Sequence, residues 1–379
     1  MAAGRDAIAQ IRDLRLAFPT YHGAVQALSG VTLTVRRGEI VGLVGESGSG
    51  KSVTALALLR LLPEGSVRFT GGSVALLGRD ILSLPERSLE DIRGNAASMI
   101  FQEPMTALNP TLRIGRQIVQ VIRRHEDVSE KEARRRSEAL LTEMQIPDAA
   151  RVMRNYPFEL SGGMRQRVLI AMAFSCNPDV LIADEPTTAL DVTVQAQVLN
   201  LLRERARARG ASVLFITHDL AVVGQLCDRV YVMYAGSVAE EGATADVLSG
   251  PLHPYTRALL QSLPEFAAPG SHLVSIRGTV PSLVNPPAGC LFRNRCPYAR
   301  ERCRERPPLL DPAGGKGRHR AACWFLDELP PEQTQRAEGS KTGAAAQPDG
   351  AAVLLSLRDV SVQFPVGANW FGRARATVH

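Results

Sequence analysis

No apolar run in this 379-residue chain approaches the ~20 residues a bilayer crossing needs. The strongest, residues 180–183 and 213–216, are far shorter, so no membrane span is expected. The first ten residues carry Arg5 and Asp6 and no long apolar core, so no signal peptide is read there. The chain is expected to be cytosolic, or held at a membrane only through partners. An excess of one charge sign is also missing: Lys+Arg 44 against Asp+Glu 38 leaves only +6. That permits a phosphate-rich ligand or an anionic surface and requires neither. The basic runs, Arg134 to Arg136 and Arg203, Arg205, Arg207 and Arg209, lack interleaved aromatics, so nucleic-acid binding is not suggested. They read as a solvated helix face and as cations complementing a helix C-terminus. Cysteine is scarce, six in all, and in a cytosolic protein these are not disulfides by default. With 45% hydrophobic and 22% charged residues, a disulfide-stapled miniprotein, a collagen and a wholly disordered chain are excluded, and the length suits two or three domains.

What is present alternates. Residues 8–101 read as strands broken by one helix. Ile11, Leu14, Leu16 and Phe18 open a half-buried strand region, and Val31, Leu33 and Val35 alternate with Thr32, Thr34 and Arg36 at the strand period of two. Residues 40–44 (IVGLV) form a short apolar strand suited to a covered sheet. A glycine-rich loop follows, then a helix over about 52–62 stopped at Pro63. Residues 106–175 are mostly helical, with one helix opened by Ser129 and the early acids Glu130 and Glu132. Strands at 180–183 and 212–217 alternate with helices at 192–209 and 220–226, which predicts a parallel α/β sheet. After about Leu263 the composition turns to Pro, Gly, Arg and Cys, and residues 332–351 read as a flexible linker. Residues 11–19 (IRDLRLAFP) recur as 357–365 (LRDVSVQFP). This marks the truncated start of a possible second copy over 352–379, or else an unrelated terminal strand.

Gly45-Glu46-Ser47-Gly48-Ser49-Gly50-Lys51-Ser52 fits the phosphate-loop pattern G-x-x-x-x-G-K-[ST], between an apolar strand and a helix. Its glycines allow backbone N–H groups and the helix N-terminus to face phosphate oxygens. Lys51 would reach the β- and γ-phosphates, and the Ser52 hydroxyl would ligate Mg²⁺. The strand at 180–183 ends in Asp184 and Glu185. Alone these would be a polar strand end. Beside a phosphate loop, Asp184 is assigned to Mg²⁺ and Glu185 to the general base. Ser161, Gly162 and Gly163 precede a helix. A lone S-G-G is usually a cap, but its place before the Asp184–Glu185 strand makes it a second anion site.

Together these residues resemble the nucleotide-binding subunit of ABC transporters over residues 8–263. The phosphate loop, the LSGGM signature, the acidic strand and His218 of Thr217-His218-Asp219 stand in the family's order. The resemblance implies a RecA-like core with an antiparallel β subdomain and a helical subdomain at about 106–175. It implies ATP and Mg²⁺ as ligands, Gln102 as the Q-loop residue contacting the metal, Asp191 in the D-loop with Ala189 and Leu190, and His218 as the γ-phosphate switch. The adenine-stacking aromatic would be Tyr21, then Phe18, which fits a core role equally. A second ABC ATPase domain would pair head-to-tail, so that each ATP lies between one phosphate loop and the partner's signature.

Cys290, Cys296, Cys303 and Cys323 have the spacing C-x5-C-x6-C-x19-C. Zinc ribbons favour closer pairs, whereas wider loops suit a 4Fe–4S cube. Zinc and unligated thiols remain as alternatives. The arginines Arg293, Arg295, Arg300, Arg302, Arg304 and Arg306 would offset a cluster's negative charge. Cys176 and Cys227 read as small core residues. With residues 253–260 (HPYTRALL), the segment 264–331 resembles the Cys-rich C-terminal extension of dipeptide/oligopeptide importer ATPases. That implies two transmembrane permease subunits, an extracytoplasmic substrate-binding protein, and a peripheral place on the cytoplasmic face of the inner membrane. Residues 102–124 would shape the groove for a permease helix. The competing class is a soluble ABC-type ATPase acting on DNA or ribosomes. Its usual coiled coils, zinc modules or paired complete domains are not evident here.

Overall fold

Ile11 and Leu14 are three residues apart, yet both are fully buried, which a regular strand does not allow. Strand β1 (Ala7–Thr20) resolves this with a bulge. Asp13 takes φ 43°, and the register against β2 (Gly23–Arg36) shifts between Ile11 and Leu14. The Asp13 amide donates to Thr32 Oγ1 at 2.9 Å. In this computed structural model β1 lies between β2 and β4 (Arg68–Leu76), with β5 (Arg79–Asp80) beyond, in a four-stranded antiparallel sheet.

A second, eight-stranded sheet runs from β11 (Asp311–Pro312) through β12 (Arg320–Ala321), β10 (Ser237–Ala243), β9 (Arg229–Tyr234), β3 (Ile40–Val44), β8 (Ser212–Thr217) and β7 (Val180–Asp184) to β6 (Ala97–Ile100). From β9 to β6 the pairings are parallel; β10 and β12 add antiparallel ones. Successive side chains of the central strands enter two different cores. Ile40, Leu181, Ala183, Val213 and Phe215 belong to one. Val41, Leu43, Val180, Ile182, Leu214 and Ile216 belong to the other. Burial on both faces is why these strands read as continuous apolar runs.

The structure describes residues 6–63, 65–188, 190–263, 275–305, 311–312, 319–330, 356, 358–361, 364–368 and 374–378. The expected linker at 332–351, Ala189, Arg306 and parts of 264–331 and 352–379 lie outside them. The chain divides into two units, Met1–Arg336 and Ala337–His379. In the second, β13 (Phe364–Ala368) pairs antiparallel with β14 (Ala374–Val378). Phe364 and Pro365, at the end of the repeat, thus enter a strand pair, as Phe18 and Pro19 do in β1–β2.

The helix after the glycine loop is shorter than the sequence predicts. Helix α1 (Lys51–Leu58) stops before Pro63 because Arg60 adopts φ 50°. The Arg60 and Leu61 amides turn back to the Ala57 and Leu56 carbonyls, a Schellman closure built without glycine. The single-helix reading of 8–101 also misses α2 (Glu86–Ile92). The helical region resolves into α3 (Pro104–Ala107), α4 (Ile114–His125), α5 (Glu130–Glu143), α6 (Ala149–Val152) and α7 (Gly162–Ala173). Ser129 caps α5 as predicted, accepting from the Glu132 amide at 3.2 Å. Helices α8 (Val192–Arg209) and α9 (Leu220–Leu226) match their predicted spans. Several arginines of the basic runs are ion-paired: Arg136 with Glu126, Arg207 with Asp228 and Arg209 with Glu143. Cys176 and Cys227 are buried, and burial pushes both thiols up. No helix among the described residues is long and apolar enough to cross a membrane.

Helices α10 (Thr244–Ser249) and α11 (Pro254–Gln261) follow β10. The fully buried carboxylate of Glu240 accepts from the amides of Leu252 and His253, each at 2.8 Å, and pairs with His319 Nε2 at 2.7 Å. His253 caps α11, its Nδ1 accepting from the Tyr255 amide at 3.0 Å. Burial pushes the His253 imidazole down to about 4, against the opposing pull of Glu240. Between that value and the ordinary 6.5 the unfolded chain binds the extra proton, so stability falls as pH falls through this window. Acidification from 6.5 to 4 should cost about 3 kcal/mol through this residue. His253→Asn keeps a capping oxygen, so its thermal midpoint should fall less steeply over the same range. Parallel slopes for the two proteins would show that His253 contributes nothing.

Candidate nucleotide site

The predicted site residues gather where parallel-sheet folds place ligands, outside the carboxyl ends of adjacent strands. The phosphate loop follows β3, Asp184 ends β7 with Glu185 just after it, His218 follows β8 and Gln102 follows β6. The loop tolerates nothing larger than glycine at two places. A Cβ on Gly45 (φ 152°) would stand 2.2 Å from the Met233 carbonyl oxygen, and one on Gly50 (φ 99°) 2.9 Å from Leu28. Ser49 Oγ is buried with no hydrogen-bond partner among the described residues.

Lys51 is almost fully buried. Its Nζ donates to the carbonyls of Gly45 at 2.8 Å and Glu46 at 3.0 Å. An ammonium has three donors, so one remains for a phosphate oxygen. Burial lowers its pKa, while Glu185, Asp184 and Glu46 hold it up. Ser52 Oγ donates to Asp184 Oδ1 at 3.1 Å. Burial raises the Asp184 carboxyl, Glu185 adds to this, and Ser52 and Lys51 oppose it. A hydroxyl and a carboxylate side by side are hard oxygen donors of the kind Mg²⁺ takes.

One oxygen, Glu185 Oε2, collects three neighbours. Gln102 Nε2 donates to it at 3.2 Å, Thr188 Oγ1 donates at 2.9 Å, and His218 Nδ1 stands at 3.3 Å. Glu185 itself has φ 43°, and its amide donates to the Ile216 carbonyl at 2.9 Å. A non-glycine residue held there costs on the order of 1–3 kcal/mol. The β7–β8 ladder holds the strained backbone and turns the carboxylate toward Gln102 and His218. Thr188 was not predicted; a threonine three residues beyond a carboxylate was the available signal.

Other predicted residues are placed less centrally. Ser161 caps α7, its Oγ accepting from the Met164 amide at 3.3 Å. A Cβ on Gly163 would meet Val194 of α8 at 2.7 Å, so α7 and α8 approach closely. Asp191 caps α8. Tyr21 stands fully exposed in the turn joining β1 and β2, while Phe18 is half-buried against a core. Glu46, assigned to the cradle, is engaged elsewhere. Its amide donates to Tyr255 Oη at 2.9 Å, and its carboxylate takes both arms of Arg295 at 2.6 and 2.9 Å. Neither contact was foreseen. Ser47 and Gly48 sit on the exposed side of the loop.

Cys290, Cys296, Cys303 and Cys323 line one small apolar cavity with Phe292 and Phe325. Burial raises the thiols of Cys290, Cys323 and, to about 11, Cys296. Among the described residues no three His, Cys, Asp or Glu side chains form a group that could hold a metal ion. The predicted zinc or 4Fe–4S site therefore gains no support from donor geometry.

A phosphate loop, an acidic strand end and a capped Ser-Gly-Gly helix on this sheet define an ATP-binding cassette. Residues 28–188 match the model of the family described as ABC transporter, and residues 239–303 that of the oligopeptide/dipeptide transporter C-terminal region. "Probable D,D-dipeptide transport ATP-binding protein DdpD" of Escherichia coli is 59% identical over 84% of this chain and 96% of its own length. "Oligopeptide transport ATP-binding protein OppD" of Salmonella typhimurium is 48% identical, over 84% and 94%. The solved structure titled "Dimeric Structure of MJ0796, a Bacterial ABC Transporter Cassette" is 27% identical, with TM-score 0.56 over 62% of this chain and 98% of that one. This chain belongs to the ABC transporter ATP-binding proteins of the dipeptide/oligopeptide group.

Proposed function

We propose that this chain is the ATP-hydrolysing subunit of an ABC importer for dipeptides, oligopeptides or related small solutes. The observation that carries the reading is the convergence of Gln102 and His218 on Glu185 Oε2, beside a phosphate loop that admits only glycine at Gly45 and Gly50. The backbone N–H groups of the loop from Gly45 to Ser52 hold the triphosphate, with Lys51 giving its remaining N–H to a phosphate oxygen, while the Glu46 side chain is turned away to Arg295. Ser52, Asp184 and the free amide oxygen of Gln102 are the donors for Mg²⁺, which when bound offsets phosphate charge. Glu185 takes a proton from a water as that water's oxygen bonds to the γ-phosphorus. The bond from the γ-phosphorus to the bridging oxygen breaks, and ADP leaves with the bond pair. Gln102 and His218 hold the base and the water in line. Ser161, Gly162, Gly163 and Asp191 serve the ATP of a paired domain, and Tyr21 stacks on adenine. The match to the peptide-transporter C-terminal region favours this over a soluble ATPase on DNA or ribosomes.

The cassette takes residues 8–263, and 264–331 form the Cys-rich extension of peptide-importer type. The chain works peripherally at the cytoplasmic face, with two permease subunits, a paired cassette and an extracytoplasmic binding protein. A 4Fe–4S cluster on Cys290, Cys296, Cys303 and Cys323 is proposed from their sequence spacing alone, since the described residues form no metal-holding group. Purification from native membranes tests all of this. The expected result is ATPase activity, co-purifying permease subunits, and iron with acid-labile sulfide that Cys296→Ser removes. Nucleic acid or ribosomes in place of permeases would overturn the importer reading, and iron-free protein the cluster.

A further inference from the structure

Arg295 is 249 residues from Glu46 in sequence and grips it with both arms of its guanidinium. The arginine side chain is 5% exposed, lies against the Tyr234 and Phe292 rings, and donates from Nε to the Arg277 carbonyl at 3.0 Å. It sits one residue before Cys296, in the turns that follow Cys290. The phosphate loop is thus held at its start by Arg295 and Tyr255, and further on by the Gly236 amide donating to the Ser49 carbonyl at 3.0 Å. Glu46 poses a physical problem in such a loop. Its carboxylate lies in the segment that must receive a polyanion, and a half-buried negative charge there repels phosphate.

We propose that Arg295 is a positioning residue for the nucleotide: it neutralises and fixes Glu46, so that the cysteine segment sets how tightly the loop holds ATP. The inference rests on the phosphate-loop reading above. Arg295 touches no reacting group. Its loss therefore weakens binding of ground and transition states alike, raising KM and leaving kcat. The weakening comes from an unpaired Glu46, so removing that charge as well should undo it.

The experiment measures binding of mant-ATP with Mg²⁺, and steady-state ATPase kinetics, on the full chain. Arg295→Met keeps the stem against Tyr234 and Phe292. It should raise Kd and KM on the order of tenfold, with kcat within about twofold of wild type. Adding Glu46→Gln to that variant should return Kd to within about threefold of wild type. Wild-type binding by Arg295→Met, or a double variant as weak as the single, overturns the proposal. Should Arg295→Met fail to fold, Glu46→Gln alone decides by sign: affinity equal to or above wild type supports the proposal, and a tenfold loss refutes it. A wild-type chain that binds no mant-ATP sinks the phosphate-loop reading itself, a different failure from either of these.

Discussion

Glu185→Gln is expected to lower ATP turnover by about 10²–10⁴-fold, the usual worth of a general base, while MgATP still binds. The amide is nearly the shape of the carboxylate. It can keep the 2.9 Å contact with Thr188 and a contact with Gln102, so the strained turn at φ 43° has no new reason to move. What is lost is the capacity to take a proton from water. Removing a negative charge near the phosphates should if anything tighten ground-state binding. Single-turnover hydrolysis measured beside equilibrium binding separates the two effects. Equal hydrolysis by the variant and the wild type would take the base assignment away from Glu185.

Lys51→Ala should fail at the earlier step, with MgATP affinity reduced by about 10- to 100-fold, the range for losing a hydrogen bond to a charged group. Two costs act together. The triphosphate loses a cation, and the carbonyls of Gly45 and Glu46 lose the donor now 2.8 and 3.0 Å away. Asp184, raised by burial and by Glu185, also loses one of the two groups that oppose that rise. Titration with a fluorescent ATP analogue reads the result. Wild-type affinity in Lys51→Ala would mean that the triphosphate binds elsewhere. Turnover lost with affinity kept belongs to Glu185, and affinity lost belongs to Lys51.

The parts of this site that follow from local chemistry could be read from the chain itself. A strand, a glycine run and Lys51-Ser52 lie within a few residues of one another, and the span of α8 (Val192–Arg209) was also legible in the chain. What could not be read depends on partners far apart in sequence. Nothing near Glu46 announces Arg295 or Tyr255, which arrive from beyond β10. The end of α1 at Leu58 was hidden because Arg60, not a glycine, takes the left-handed turn. The three-residue step from Ile11 to Leu14 breaks the period of two until Asp13 is seen to bulge. The four cysteines line one cavity but do not form the metal-holding group that their spacing predicted, because spacing does not encode how tertiary packing places the side chains.

The close approach of Gly163 to Val194 has a mechanical consequence. There is no room for a methyl group on Gly163 beside Val194, in the first turn of α8. A residue larger than glycine at position 163 must therefore displace Val194, and with it the helix starts that Ser161 and Asp191 cap. Under the proposed pairing of cassettes, one substitution at Gly163 would disturb both ATP contacts.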